Sequence, residues 1–347
     1  MRKTITTMLS ALLVLSLLSG CGDRTAGSAV SASASSTGQV VSEIPEETAA
    51  PRTAFRIAGL NGPTTMGMVK LMSDAEAGGT RHDYAVEIFG AADEVNTKLI
   101  GGELDAAMVP ANVASVLYNK TQGQIKVAAV NTLGVLYVVE TGDSISSVAD
   151  LAGKTVYATG KGQTPEFVLN YLLRQNGLDP AADLTIEYKS EATEVAALLA
   201  ETDDAIAVLP QPYVTVAQAK NEKLRVALNL TEEWDKVSES SALVTGVLVV
   251  RTEFIEANSE AFAEFLQDYQ ASIEWVRANT KEAAELVVQY GIVPQVPLAE
   301  KALPQCNITF VAGGEMKNML RGYLQVLFDQ MPESVGGALP DDEFYHL

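Results

Sequence analysis

Apolar residues along this chain switch repeatedly between two periods. From Ala54, "AFRIA" sets Phe55 and Ile57 on one side, the two-residue repeat of a strand. "TTMGMVKLMSDA" then spaces Met68, Leu71, Met72 and Ala75 at i, i+3, i+4 and i+7, one apolar helical face. "YAVEIF" predicts the next strand, and "ADEVNTKLIGG" a helix closed by Gly101 and Gly102. "DAAMVP", "ANVASVLYNK" and "IKVAAV" follow as strand, helix and strand. The cycle restarts with "KTVYATG", "TPEFVLNYLLRQNG", "LTIEYK", "EVAALLAET", "AIAVLP", "QPYVTVAQAKN" and "LRVAL". Such alternation predicts an α/β fold built on open, mostly parallel sheets flanked by helices.

The two cycles align at an offset close to one hundred positions. Gly62 falls on Gly162, Thr64 on Thr164, Glu94 on Glu194, Pro110 on Pro210 and Lys120 on Lys220. Element types and loop positions match as well, so the chain reads as two lobes of one architecture. After Leu228 the rhythm changes. "ALVTGVLVVR" is a long apolar strand suited to a buried crossing between lobes, and helices follow that close over the first lobe. One places Phe262, Phe265, Leu266, Tyr269, Ile273 and Val276 on a face; the last places Met316, Leu320, Tyr323, Leu324 and Leu327.

The first twenty residues read as a targeting segment. Arg2 and Lys3 precede "MLSALLVLSLL", which is too short to span a membrane comfortably. It ends in "LSGC", which resembles a lipobox and implies cleavage before Cys21 and a lipid on its thiol; two acyl chains suffice for a stable anchor. Residues 21–52, rich in Ser, Ala, Thr, Gly and Glu, predict a disordered tether. The formal charge is −20, and more negative still without Arg2 and Lys3. A chain this acidic lacks the basic footprint of nucleic-acid binding. Cys21 and Cys306 are the only cysteines, and with Cys21 lipidated Cys306 has no disulfide partner. His82 and His346 stand apart in sequence, which argues against a Ser-His-Asp triad or a histidine zinc site. No metal and no cofactor is expected.

Ligands of open α/β sheets sit beyond the carboxyl ends of strands, at helix N-termini. Four loops qualify: "GLNGPTT", "VPAN", "TGKGQTPE" and "LPQPY". Their candidate ligand residues are Asn61, Gly62, Thr64, Thr65, Asn112, Gly160, Lys161, Gly162, Gln163, Thr164, Gln211 and Tyr213, with Lys161 the only cation. Tyr213 and Trp234 are candidate aromatic walls. Thr164 and Pro165 read as N-cap and first helical residue. A nucleotide loop does not fit "LAGKT": Val148 stands where the first glycine is required, and a strand follows where a helix should begin. For each loop taken alone, a plain tight turn is an equal alternative. No carboxylate pair converges in these loops, so general acid–base catalysis has no visible machinery.

"DLAGKTVYATGKGQTPEFVLNYLLRQNGLDP" and "DDAIAVLPQPYVTVA", with the lipobox and tether, resemble solute-binding lipoproteins of ABC importers. The resemblance is nearest to the NMT1/THI5-like branch, which includes nitrate, sulfonate, taurine and thiamine-precursor binders. It implies a type II periplasmic-binding-protein fold, with lobe 1 from residues 53–140 and 244–347 and lobe 2 from 141–243. It implies hinges near Val138 and Ser241, and capture of a sulfonate, a nitrate-like anion or a thiamine-precursor-like heterocycle as the lobes close. Partners would be an ABC permease and its ATPase, with a monomer lipid-anchored on the outer face of the cytoplasmic membrane. The cysteine cluster and active-site histidine of the pyrimidine-synthesising members are missing, which speaks against that activity. An extracytoplasmic enzyme on the same fold, or a solute-sensing receptor domain, are the alternatives.

Overall fold

The computed structural model describes residues 52–238 and 241–347. The leader, the Cys21 motif and residues 21–51 of the expected tether lie outside the described residues. Arg52, expected to end the tether, is instead held: its guanidinium donates to Asp83 Oδ1 at 2.8 Å and to the carbonyls of Thr80 and His82.

The first cycle gives β1 (Ala54–Leu60), α1 (Pro63–Met66), α2 (Val69–Glu76), β2 (Asp83–Phe89), α3 (Ala92–Ile100), β3 (Ala106–Pro110), α4 (Ala111–Thr121) and β4 (Ile125–Leu133). The strand β5 (Leu136–Glu140) leads to the second cycle: β6 (Thr155–Ala158), α5 (Thr164–Gln175), β7 (Thr185–Tyr188), α6 (Ala192–Glu201), β8 (Ile206–Pro210), α7 (Tyr213–Lys220), β9 (Arg225–Asn229) and α8 (Leu230–Val237). The chain ends with β10 (Val244–Arg251), α9 (Thr252–Ala257), α10 (Ser259–Ala278), α11 (Thr280–Gln289), α12 (Val296–Ala302), β11 (Ile308–Val311) and α13 (Gly313–Gln330). Among the described residues no helix is long and apolar enough to cross a membrane.

Two sheets result, ordered β11-β4-β10-β3-β1-β2 and β7-β6-β8-β5-β9. Apart from the edge strand β11, they correspond strand for strand. The offset seen in sequence is therefore one topology used twice. Each sheet is mixed, with most of its strands running in one sense, as expected. β1 pairs parallel with β2 and β3, and β6 with β7 and β8. The fourth strand of each sheet, β10 or β5, runs against both neighbours. The reason is connectivity: β5 and β10 both enter from the other sheet, β10 by way of α8, so neither follows a crossover from a strand of its own sheet, the connection that sets strands parallel.

This also moves the crossings. Val138, expected at a hinge, is paired to Val208 on one side and Leu228 on the other. The first crossing is Gly134–Val135, between β4 and β5, so residues 136–140 pair within the second sheet. The second crossing runs through α8 to Leu243. The two touch at Gly134, where a Cβ would lie 2.1 Å from Thr231 Oγ1 and 2.6 Å from Leu243 Cδ2. Only glycine fits between them.

The helix expected across "TTMGMVKLMSDA" is broken at Gly67. A Cβ there would lie 2.6 Å from Ile273 of α10. The hydrogen bond that an unbroken helix would make from Leu71 N–H to Gly67 C=O is replaced by the Ser272 hydroxyl. It accepts from Leu71 N–H at 3.1 Å and donates to the Gly67 carbonyl at 2.7 Å. Both backbone groups stay satisfied inside the core. The long helices keep their predicted faces: Met316, Leu320, Tyr323, Leu324 and Leu327 of α13 are fully buried. Beyond closing over the first lobe, α13 joins an apolar cluster that continues into α5 and α8 of the second.

Candidate functional site

The four strand-end loops stand at equivalent ends of the two sheets. β1 leads into α1 through Asn61 and Gly62, and β3 leads into α4 through Pro110. β6 leads into α5 through residues 159–163, and β8 leads into α7 through Gln211 and Pro212. Each places backbone N–H groups of a helix start at a strand's carboxyl end.

α5 begins one residue earlier than its sequence suggests. Gln163 is the N-cap, without a side-chain capping bond, while Thr164 is the first helical residue. Released from capping, the Thr164 hydroxyl donates across the lobes to Asn112 Oδ1 at 3.2 Å. Asn112 is held in turn by its amide, which donates to the Ser334 carbonyl at 3.2 Å. The structure thus joins two candidates from different lobes in one direct contact.

Thr64 belongs to the same rim. Gly246 of β10 pairs with Pro110 on one side and Thr132 on the other. A Cβ on Gly246 would lie 2.4 Å from Thr64 Cγ2 and 2.7 Å from Asn131 Oδ1. Asn131 donates to the Thr64 carbonyl at 3.2 Å and accepts from the Thr132 hydroxyl at 3.0 Å. Asn131 and Gly246, which pack against Thr64, and Thr132, which bonds to Asn131, were not singled out in sequence, although the polar pair after "IKVAAV" and a lone glycine inside an apolar strand were visible signals.

The remaining candidates divide. Thr65 is fully buried, and its hydroxyl donates to the Leu60 carbonyl at 2.6 Å, bracing the turn from within. Gln211 is buried and its Oε1 accepts from the Thr215 hydroxyl at 2.9 Å. It lines a separate recess of about 550 Å³ with Tyr137, Gln218, Asn229, Lys301 and Gln305. Tyr213 is half-buried against the core between α6 and α7. Asn61 is exposed, and its N–H donates to the Phe89 carbonyl at 2.9 Å.

The loop at residues 159–163 needs its glycines, both at φ 73°. A side chain at Gly160 would also press on Pro165 at 2.9 Å. Gly62 instead has φ 159°, so the two cycles do not share one turn. Lys161 is exposed, its ammonium 5.8 Å from the centre of the Tyr188 ring. The Gly162 N–H is already occupied by Glu166 Oε2 at 2.5 Å.

Trp234 is no exposed wall. It lies in α8, fully buried, with ring centres 4.5 Å from Tyr171 and 5.8 Å from Tyr323, and its Nε1–H donates to Ser241 at 3.0 Å. Among the described residues no lysine or arginine is buried, and no group of three or more His, Cys, Asp or Glu is placed to hold a metal. Cys306 is buried, and burial pushes its thiol up to about 12, so it stays protonated and unreactive. The strand-end loops carry hydroxyls, amides and helix N-termini, with the exposed Lys161 their one cation.

Residues 75–300 match the family model for ABC transporter, phosphonate, periplasmic substrate-binding proteins. Among solved structures, an ABC transporter protein from Parabacteroides distasonis is similar at 25% identity and a TM-score of 0.72, covering 85% of this chain and 99% of that one. The periplasmic aliphatic sulphonate-binding protein SsuA from Escherichia coli shares the fold at 17% identity and a TM-score of 0.66, over 83% and 96% of the two chains. The alkanesulfonate-binding protein SsuA from Xanthomonas axonopodis pv. citri, bound to MOPS, does so at 16% identity and 0.61, over 84% and 96%. No curated protein matches the chain.

Proposed function

Because this chain belongs to the family of ABC-transporter periplasmic phosphonate-binding proteins, a non-catalytic family that works with a permease and its ATPase, we propose that it captures a small, singly charged organic oxyanion between its lobes for import. An alkanesulfonate or a monoanionic phosphonate fits this description. The observation that carries the reading is the Thr164–Asn112 contact, where helix starts of the two lobes meet at equivalent strand ends. A ligand bonded to both loops is fully engaged only when the lobes are closed, so its binding shifts the open–closed equilibrium toward closure.

Single charge follows from the donor set. A buried dianion needs an opposite charge, and bidentate arginine is the usual partner. With no buried lysine or arginine among the described residues, helix N-termini and hydroxyls suit a sulfonate better than a doubly ionised phosphonate. The family description says phosphonate and the two SsuA structures say sulphonate; one shared chemistry, a tetrahedral oxyanion on carbon, covers both. The narrower NMT1/THI5-like placement, a lipid on Cys21 and a monomeric state complete the proposal.

Thermal unfolding with ethanesulfonate, taurine, methylphosphonate, nitrate and a thiamine pyrimidine tests it. A ligand at one hundred times its Kd stabilises by about 2.7 kcal/mol, which raises Tm by several degrees. A mass spectrum of solute released from the same protein identifies the natural ligand, and the intact mass reads the acyl chains on Cys21. No shift with any probe together with no released solute would sink the binding reading.

A further inference from the structure

Buried hydroxyls in folded proteins nearly always have partners, because leaving one unpaired forfeits its hydration without return. Three of the deeply placed tyrosines obey the rule. Tyr84 donates to Asp268 Oδ2 at 2.8 Å, Tyr137 to the Gln305 carbonyl at 2.9 Å, and Tyr118 to Asp341. Tyr188 and Tyr290 lack a bond, but each has a carboxylate neighbour, Glu166 or Glu76. Tyr323 differs. It is 0% exposed, its hydroxyl has no hydrogen-bond partner, and its polar neighbour is the neutral Thr164. Thr164 gives its proton to Asn112, so it could meet Tyr323 only as an acceptor, and no hydrogen bond joins the two. Burial holds the phenol far above its ordinary range, so it stays a neutral donor at any physiological pH.

We propose that the Tyr323 hydroxyl is a ligand-recognising donor, completing an oxyanion site with Thr164 at the N-terminus of α5 and Asn112 of the opposite lobe. The inference rests on the binding function proposed above and names the residue that confers specificity within it. Position singles it out. Tyr323 comes from α13 in the first lobe's cluster, yet its hydroxyl faces a residue of the second lobe where the loops meet. Tyr269 shares the buried, unpaired hydroxyl but lies beside Asn131 of the same rim, so the off-site comparison is Tyr290, whose unpaired hydroxyl lies beside Glu76 of α2 and no strand-end loop. A ligand oxygen beside Thr164 would accept the phenol proton, and a group without an acceptor there would leave it unpaired. The site therefore discriminates against apolar or donor-only ligands of the same size.

Tyr323→Phe in the full protein, compared with wild type, tests this in two arms. In the ligand-free protein the variant should melt at the same temperature or higher, since the hydroxyl it loses has no partner. Calorimetric titration with ethanesulfonate and methylphosphonate should show about tenfold or greater weakening, the loss of one hydrogen bond to a charged group. Tyr290→Phe should leave affinity within twofold of wild type. Equal affinity of Tyr323→Phe and wild type overturns the proposal, as does a fall of several degrees in the ligand-free melting temperature, which would expose a structural partner. If wild type binds neither probe, the oxyanion reading fails. The role of Tyr323 is then decided by the stability arm and by the amount of co-purified solute each protein releases, equal release overturning it.

Discussion

Glu140, at the end of β5, carries a carboxylate that is 1% exposed. Burial alone would raise its pKa. The N–H of Ile145 at 3.0 Å, the hydroxyl and N–H of Ser144 at 3.1 Å each, and the Arg225 guanidinium together pull it below the ordinary glutamate range. A carboxylate whose folded pKa is depressed contributes its full stability above the unfolded value of about 4.3 and loses it as pH falls through the folded value. Glu140→Gln should therefore cost about 2 kcal/mol at pH 7, and the deficit should shrink toward pH 3. Urea unfolding at both pH values measures it; a deficit that stays constant would mean that packing, not charge, holds this corner. Sequence showed Glu140 only as the end of an apolar run. Its partners lie four, five and 85 positions away, and the last is brought close by the pairing of β5 with β9.

At the scale of elements, β10 matters most to the cleft. Its residues lie between β3 and β4 and against α1, so a side chain at Gly246 has nowhere to go. The backbone there is ordinary, and the need for glycine is one of space alone. Gly246→Ala should destabilise by about 2 kcal/mol, within the range for overpacking a filled core. Gly90→Ala, where a Cβ would meet nothing within 4 Å, should stay within about 0.5 kcal/mol of wild type. Denaturant midpoints at unchanged m-value read both; equal midpoints for the two variants would show that the rim yields freely. Element types and most boundaries were legible from periodicity, because burial on one face imposes it. β5, β11 and α8 were not: β5 is buried throughout and carries no period, and β11 and α8 are too short to show one. Trp234 was misjudged for the same reason: its helix is short, and its burial depends on Tyr171 and Tyr323 from two distant helices.

For the whole molecule, the decisive quantity is the balance between open and closed lobes. Gly134 of the first crossing meets Thr231 and Leu243 of the second, while α13 carries one apolar cluster across both lobes. Closure therefore pivots on a narrow seam rather than separating two independent bodies. Small-angle scattering of the protein should show a smaller radius of gyration with ligand than without, at the mass of one chain. An unchanged radius despite a raised melting temperature would place the ligand on one lobe only. Thr164→Val removes the lobe-to-lobe hydrogen bond and serves as the matched control in that measurement.

The sequence by itself determined the α/β class, the doubled topology, the strand-end loops and the neutral, cation-poor character of their side chains. These follow from local pattern and composition, which survive without knowledge of distant contacts. Tertiary structure decided which loop residues point where. Thr65 and Gln211 turn inward, and Thr164 reaches Asn112 because α5 starts one residue early and frees its hydroxyl from capping. Asn131, Gly246 and Tyr323 join the rim from segments that read as core. Their placement depends on which strand lies between which others, and that is fixed by the crossing of the chain between lobes rather than by any neighbour in sequence.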